Sequence, residues 1–288
     1  MSYLIAGNAA KTTLRVFAAD TSKLVELARV RHDLSPTATA ALGRALTGAL
    51  LLAQVLSKRE EDRVTLRIQG DGELGYIVAE GGRDGAARGY VKNPQADLAP
   101  RATDGKLDVG ALVGKNGDFA VMRLLENSEP YTGSVPLVSG EIADDLAAYL
   151  WQSEQIPSAV LLGVHLDSTG VTHAGGLLVQ AMPGVADSTL TRLEQNIANL
   201  GQFTSAMRNS GFLGAVAKAL DSLDLELHGD TLALEYKCRC SFERSLAALV
   251  YFSAAEREDM IVTGGQEVVC HWCGQKYQIS PEEIRSLE

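Results

Sequence analysis

All four cysteines of this 288-residue chain fall within its last 51 positions, as Cys238-Arg239-Cys240 and, after 29 intervening residues, Cys270-His271-Trp272-Cys273. Two close thiol pairs joined by a loop are the raw material of a tetrahedral four-sulfur zinc site. A segment of about 60 residues has little core of its own, so such a site would be its main staple, contributing roughly 10 to 16 kcal/mol by the scale of zinc-finger peptides. Phe242, Leu246, Leu249, Val250, Tyr251, Phe252, Val268, Val269 and Tyr277 could make a modest core.

The same sulfurs can leave the metal. A Cys-X-Cys pair can close a small, strained ring, and a Cys-X2-Cys pair a more familiar disulfide. Spacing therefore leaves three readings open: a permanent structural zinc site, a redox switch, or a zinc ribbon that docks a protein or nucleic acid. A thiol oxidoreductase using Cys270 and Cys273 is a fourth, disfavoured because the motif sits at no strand-to-helix junction of a βαβ unit. His271 reads as a solvated loop residue and Trp272 as a neighbour of the metal.

A net charge of −10 argues against a nucleic-acid partner. Apolar runs are short, the longest at 45–56 being interrupted by Thr47 and Gln54, so no membrane span is expected. Met1 to Ile5 lack the pattern of a signal peptide. A cytoplasmic, thiol-reducing setting is the expectation.

Along the chain, residues 12–18 alternate as a strand, and Ser35 with Pro36 opens a helix to about 57 that is apolar nearly all round and therefore buried. Strands are expected at 64–69, 75–79, 87–91, 107–113, 118–125 and 131–138, a helix at 140–153, and two apolar strands at 158–166 and 174–182. The fold class is thus α+β: a large N-terminal mixed-sheet domain with packed helices at 1–183, a helical linker at 184–227 and a small C-terminal four-cysteine domain at 228–288.

Leu190, Leu193, Ile197, Leu200, Phe203 and Met207 recur at steps of three and four, an amphipathic helix ending at Gly211, with a second helix at 213–220. Asn196, Asn199, Gly201, Thr204, Ser205, Asn209 and Ser210 are poor helix formers, so this segment holds only while its stripe is packed. Asp144-Asp145 and Glu60-Glu61 read as solvated faces. His32, His165, His173 and His228 are scattered, and no phosphate-binding loop occurs.

Taken whole, the chain resembles the redox-regulated heat shock protein 33 family. The cysteine spacing matches, as do GRALTGALLLA (43–53), IQGDGELG (68–75), GYVKNP (89–94), SGEIADDLAAYLWQSEQIPSAVLLGV (139–164) and AGGLLVQAMPG (174–184). Trp272 stands where Phe or Tyr is more usual. The resemblance implies an ATP-independent, non-enzymatic holdase that is inactive while reduced with one Zn2+ on Cys238, Cys240, Cys270 and Cys273. It implies that oxidation pairs Cys238 with Cys240 and Cys270 with Cys273, releases the zinc, unfolds the C-terminal region and linker, and permits a homodimer that binds unfolding client proteins. The stripe from Leu190 to Met207 is the candidate client surface.

Overall fold

In the computed structural model, which describes residues 1–125 and 129–287, the chain divides into two units, Met1–Tyr236 and Lys237–Glu288. The first begins with β1 (Ser2–Ala9), β2 (Leu14–Asp20), α1 (Ser22–His32) and α2 (Pro36–Leu56). A meander of β3 (Arg63–Gln69), β4 (Tyr76–Gly82) and β5 (Ala86–Val91) follows, then α3 (Val109–Val113), β6 (Asp118–Leu124) and β7 (Tyr131–Pro136). Next come α4 (Ala143–Gln152), the long hairpin β8 (Ser158–Asp167) and β9 (Gly170–Ala181), the helices α5 (Asp187–Leu200) and α6 (Phe203–Ala219), and β10 (Glu226–Tyr236).

These strands form one ten-stranded sheet in the order β7-β6-β3-β4-β5-β10-β1-β2-β9-β8. Every pairing is antiparallel except the short parallel seam of β10 with β5, where Glu235 faces Ala86 and Tyr236 faces Ala87. A mixed α+β architecture is what the strand and helix pattern led us to expect.

α2 starts as the sequence dictates: the Ser35 hydroxyl accepts the Ala38 N–H at 3.1 Å, and Pro36 fills the first turn, where a missing N–H costs nothing. The helix is buried along most of its length and packs on β4, β5, β8 and β9. It crosses β4 closely; a Cβ on Gly81 would stand 2.6 Å from the Ala49 carbonyl carbon. Among the described residues α2 alone has the length and apolarity of a membrane span, and 78% of that window is buried by the rest of the fold. It is a core helix.

On β8, alternation sends successive residues to opposite faces. Leu162 and Val164 lie beside Gly48 and Gly43 of α2, while Gly163 lies beside Thr204 of α6. Both faces of this half of the sheet are therefore covered, which explains why β8 and β9 read as continuous apolar runs.

Four local expectations change. Residues 109–113 are helical rather than extended, because the Asp108 carboxylate caps the Ala111 N–H at 3.2 Å. Asp145 is not solvated. It is fully buried, accepting from the N–H groups of Val138 (2.7 Å), Ser139 (3.0 Å) and Ile142 (2.9 Å), so it ties the chain leading into α4. The amphipathic helix stops at Leu200, where Gly201 takes a positive φ of 66°, and α6 then carries a kink at Gly211. Residues 228–236, expected with the cysteines, run instead as β10 inside the large sheet, pairing Leu234 with Ser2 and Leu232 with Leu4.

The second unit contains α7 (Phe242–Ala248), a 3-10 turn (Leu249–Tyr251), α8 (Ala254–Val262), the hairpin β11 (Gln266–Val269) and β12 (Lys276–Ile279), and α9 (Pro281–Arg285). Ser241, Ser253 and Ser280 cap its three helices. Its core is Leu249, Ile261, Ile279 and Ile284, flanked by Phe242, Leu246, Met260, Val268 and Leu287. Val250, Tyr251 and Phe252, expected to contribute, are exposed.

Candidate metal centre

The hairpin β11–β12 builds half of the centre. Its strands pair Val268 with Tyr277 and Val269 with Lys276, and the ladder continues as the Cys270 N–H donates to the Gln275 carbonyl at 2.8 Å. The connecting turn is tight: the Gly274 N–H donates back to the Cys270 carbonyl at 2.8 Å, and Gly274 takes a φ of 68° that disfavours a side chain. Cys270 and Cys273 are thereby held at the mouth of the turn. Cys238 and Cys240 come from the extended stretch between β10 and the Ser241 cap of α7.

The four Sγ atoms lie within 4.8 Å of one another. Cys238 and Cys270 approach to 3.8 Å, and Cys240 and Cys273 to 3.5 Å. Sulfurs bound at about 2.3 Å to one tetrahedral ion would stand about 3.8 Å apart, whereas a disulfide requires about 2.05 Å. All four cysteines are free thiols in this arrangement. Cys273 is fully buried and the other three are half-buried.

Burial pushes the thiols of Cys270 and Cys273 up from their ordinary pKa. The opposing N–H groups of Trp272 and Cys273 at Cys270, and of Gln275 at Cys273, do not overcome it. These two sulfurs are thus poorly placed to ionise alone, and a shared cation would reverse that balance. The donor set, all sulfur and closed on four sides, fits a soft or borderline divalent metal.

His271 is exposed and lies outside the four-sulfur group, while Trp272 is half-buried beside Cys273. Sequence reading missed Tyr277 as a neighbour of the sulfurs, having placed it in the core. Its hydroxyl donates to Cys240 Sγ at 3.1 Å, and that bond is the leading cause of a phenol pKa raised above its ordinary value. An aromatic residue four positions beyond the last cysteine, on the short strand that leaves the cysteine turn, was the available signal.

The apolar stripe belongs to the other unit. Leu193, Phe203 and Met207 are at most 5% exposed, and Ile197 and Leu200 are partly buried against the same cluster of Leu14, Val16, Leu177, Val179, Phe212 and Val216. Leu190 lines a groove of about 210 Å³ with Pro157, Ala159 and Ile197. All six residues therefore face the sheet, and Asn196 adds a bond from Nδ2 to the Asp221 carbonyl at 2.8 Å.

The family model described as "Hsp33 protein" matches residues 2–280. The 33 kDa chaperonin of Deinococcus radiodurans is 56% identical over 285 residues, covering 99% of this chain and 97% of that protein. The 33 kDa chaperonin of Thermus thermophilus is 55% identical over 298 residues, covering all of this chain and 86% of that one. A crystal structure of the 33 kDa chaperonin (heat shock protein 33 homologue) of Thermotoga maritima superposes with a TM-score of 0.90 at 38% identity, over 99% of this chain and 97% of that chain. Matched by the family model over residues 2–280, by more than half of its residues to each of two 33 kDa chaperonins and by its fold to a third, the chain belongs to the Hsp33 family.

Proposed function

We propose that this protein is a redox-regulated, ATP-independent holdase of the cytoplasm, without catalytic turnover. It is held inactive while Cys238, Cys240, Cys270 and Cys273 are reduced around one Zn2+. The observation that carries the reading is the convergence of four thiols within 4.8 Å in a unit whose core is four buried aliphatic residues. Bound Zn2+ supplies charge that keeps all four sulfurs as thiolates and cross-links the two halves of the motif.

Oxidation pairs Cys238 with Cys240 and Cys270 with Cys273, and the paired sulfurs can no longer hold the metal. Lys237–Glu288 then loses its cross-link, and four aliphatic side chains are too few to keep it folded. The linker at 184–227 loosens in turn, exposing the stripe of Leu190, Leu193, Ile197, Leu200, Phe203 and Met207 to unfolding proteins, and two chains can dimerise. The names of the relatives, all chaperonins, support a client-binding role over an enzymatic one. Neither nucleic acid nor a membrane is a partner in this reading.

The test is light scattering by a heat-unfolding client, with the chain added reduced and zinc-loaded or after hypochlorite treatment. Suppression of aggregation by the oxidised form alone is the expected result. Equal failure in both states would overturn the proposal.

A further inference from the structure

Cys240 takes a hydroxyl contact that a single atom's removal would erase. We infer that Tyr277 is a positioning residue that guards Cys240 against oxidation, its O–H occupying a sulfur lone pair that an electrophilic oxidant must attack. The inference rests on the four-sulfur reading proposed above.

The four sulfurs are not equivalently supported. Cys270 and Cys273 receive backbone N–H groups, from Trp272, Cys273 and Gln275, which come with the turn itself. Cys240 lies on the other segment, 37 positions from Tyr277, and takes the Tyr277 hydroxyl at 3.1 Å. Tyr277 is fixed from behind by its pairing with Val268 in the hairpin. The contact therefore reaches from the Cys-X2-Cys half of the centre to the Cys-X-Cys half.

A charge-assisted hydrogen bond stabilises a thiolate and withdraws the electron pair it uses as a nucleophile. With hypochlorous acid as the oxidant, a thiolate takes chlorine to give the sulfenyl chloride and hydroxide. A neighbouring thiolate then displaces chloride to form the disulfide. The first step consumes the lone pair that Tyr277 engages, so the hydroxyl raises the threshold for the step at Cys240.

The experiment compares the full-length reduced, zinc-loaded chain with Tyr277→Phe, which keeps the ring and removes the hydroxyl. Each is mixed rapidly with hypochlorous acid, zinc release is followed with a chromogenic chelator, and quenched samples are mapped by alkylation and mass spectrometry. Tyr277→Phe should oxidise roughly 3- to 30-fold faster at Cys240, the range one such bond supports, with an unchanged circular dichroism spectrum. Tyr251→Phe, which removes a hydroxyl from a ring 93% exposed in the same unit, should oxidise at the wild-type rate.

A wild-type rate at Cys240 in Tyr277→Phe overturns the inference. So does equal acceleration at all four cysteines, which marks general loosening, or acceleration by Tyr251→Phe. If the purified wild-type chain holds no zinc, the metal reading fails separately. Thiolate-selective alkylation of the metal-free reduced chain then decides: a changed labelling rate confined to Cys240 in Tyr277→Phe supports the contact, and no difference overturns it.

Discussion

A Cβ on Gly163 would stand 2.6 Å from Thr204 Cγ2, so β8 admits the first turn of α6 only because position 163 has no side chain. Gly175 on β9 also lies beneath α6, where an added Cβ would meet Met207 Sδ at an ordinary 3.4 Å, its tight neighbour being the Ala19 carbonyl of β2 at 2.5 Å. The glycine-rich floor under α6 sets how tightly the linker helices can sit.

Gly163→Val should lift α6 and cost about 1–3 kcal/mol through overpacking. Hydrogen exchange across residues 187–219 should accelerate while residues 63–91 keep their protection. In the proposed function the reduced variant should also suppress client aggregation without oxidant. Unaltered exchange at 187–219 would show that Thr204 simply turns aside.

Phe212 anchors the same layer, meeting Tyr3 edge-on at 5.3 Å and Phe203 at 6.4 Å between ring centroids. Phe212→Ala should destabilise the protein by about 3–5 kcal/mol, measured as a lower urea midpoint. The loss should appear first as exchange in α6. A variant with the wild-type midpoint would mean that Tyr3 and Phe203 close the gap.

Removal of metal with a strong chelator, under reducing conditions, should unfold Lys237–Glu288 and leave the large sheet intact. In a Trp151→Phe background the remaining Trp272 should shift its emission to the red, while strand circular dichroism persists. Retention of the native Trp272 spectrum would show that the four-residue core suffices on its own.

Glu26 supplies a pH dependence whose sign is fixed by its partners. Its carboxylate accepts from Arg29 Nε at 2.8 Å and Nη2 at 2.7 Å and from the Val171 N–H at 2.8 Å, and the Arg29 bond leads in holding its pKa below the ordinary value. That stabilisation is fully present above the unfolded-state pKa of about 4.3 and is lost as pH falls through the lower folded-state value. Glu26→Gln should therefore lower the urea midpoint at neutral pH, and the gap from wild type should close in strong acid. A gap of constant size across that range would assign the effect to shape rather than charge.

α2 was readable because its start is local chemistry, Ser35 and Pro36, and its apolar run is long. β3, β4 and β5 were readable from alternation and glycine turns. The cysteine cluster was readable from spacing alone, since two pairs on a loop can meet whatever the rest of the chain does. β10 was missed although Leu232, Leu234 and Tyr236 alternate, because His228 to Thr231 break the pattern and its pairing partner β1 lies more than 200 positions away. Asp145 was misread for a different reason: its partners are local, the N–H groups of Val138, Ser139 and Ile142, but the turn that folds them onto the carboxylate is not visible in an acidic helix start. Tyr277 escaped because a hydroxyl aimed at sulfur leaves no trace in composition.

β10 also has a consequence for how far disorder can spread. It lies between β5 and β1 in the interior of the sheet, and Tyr236, its last residue, is two positions from Cys238. The strand acts as a firebreak: a chain end that melts back from the cysteines meets a backbone hydrogen-bonded to β1 and touching β5, and cannot consume it without splitting the sheet in two. The helices α5 and α6 lie on its far side in the chain, resting on a face of the sheet and contributing no strand to it. In the proposed function they leave and return while the sheet endures as the template for their refolding.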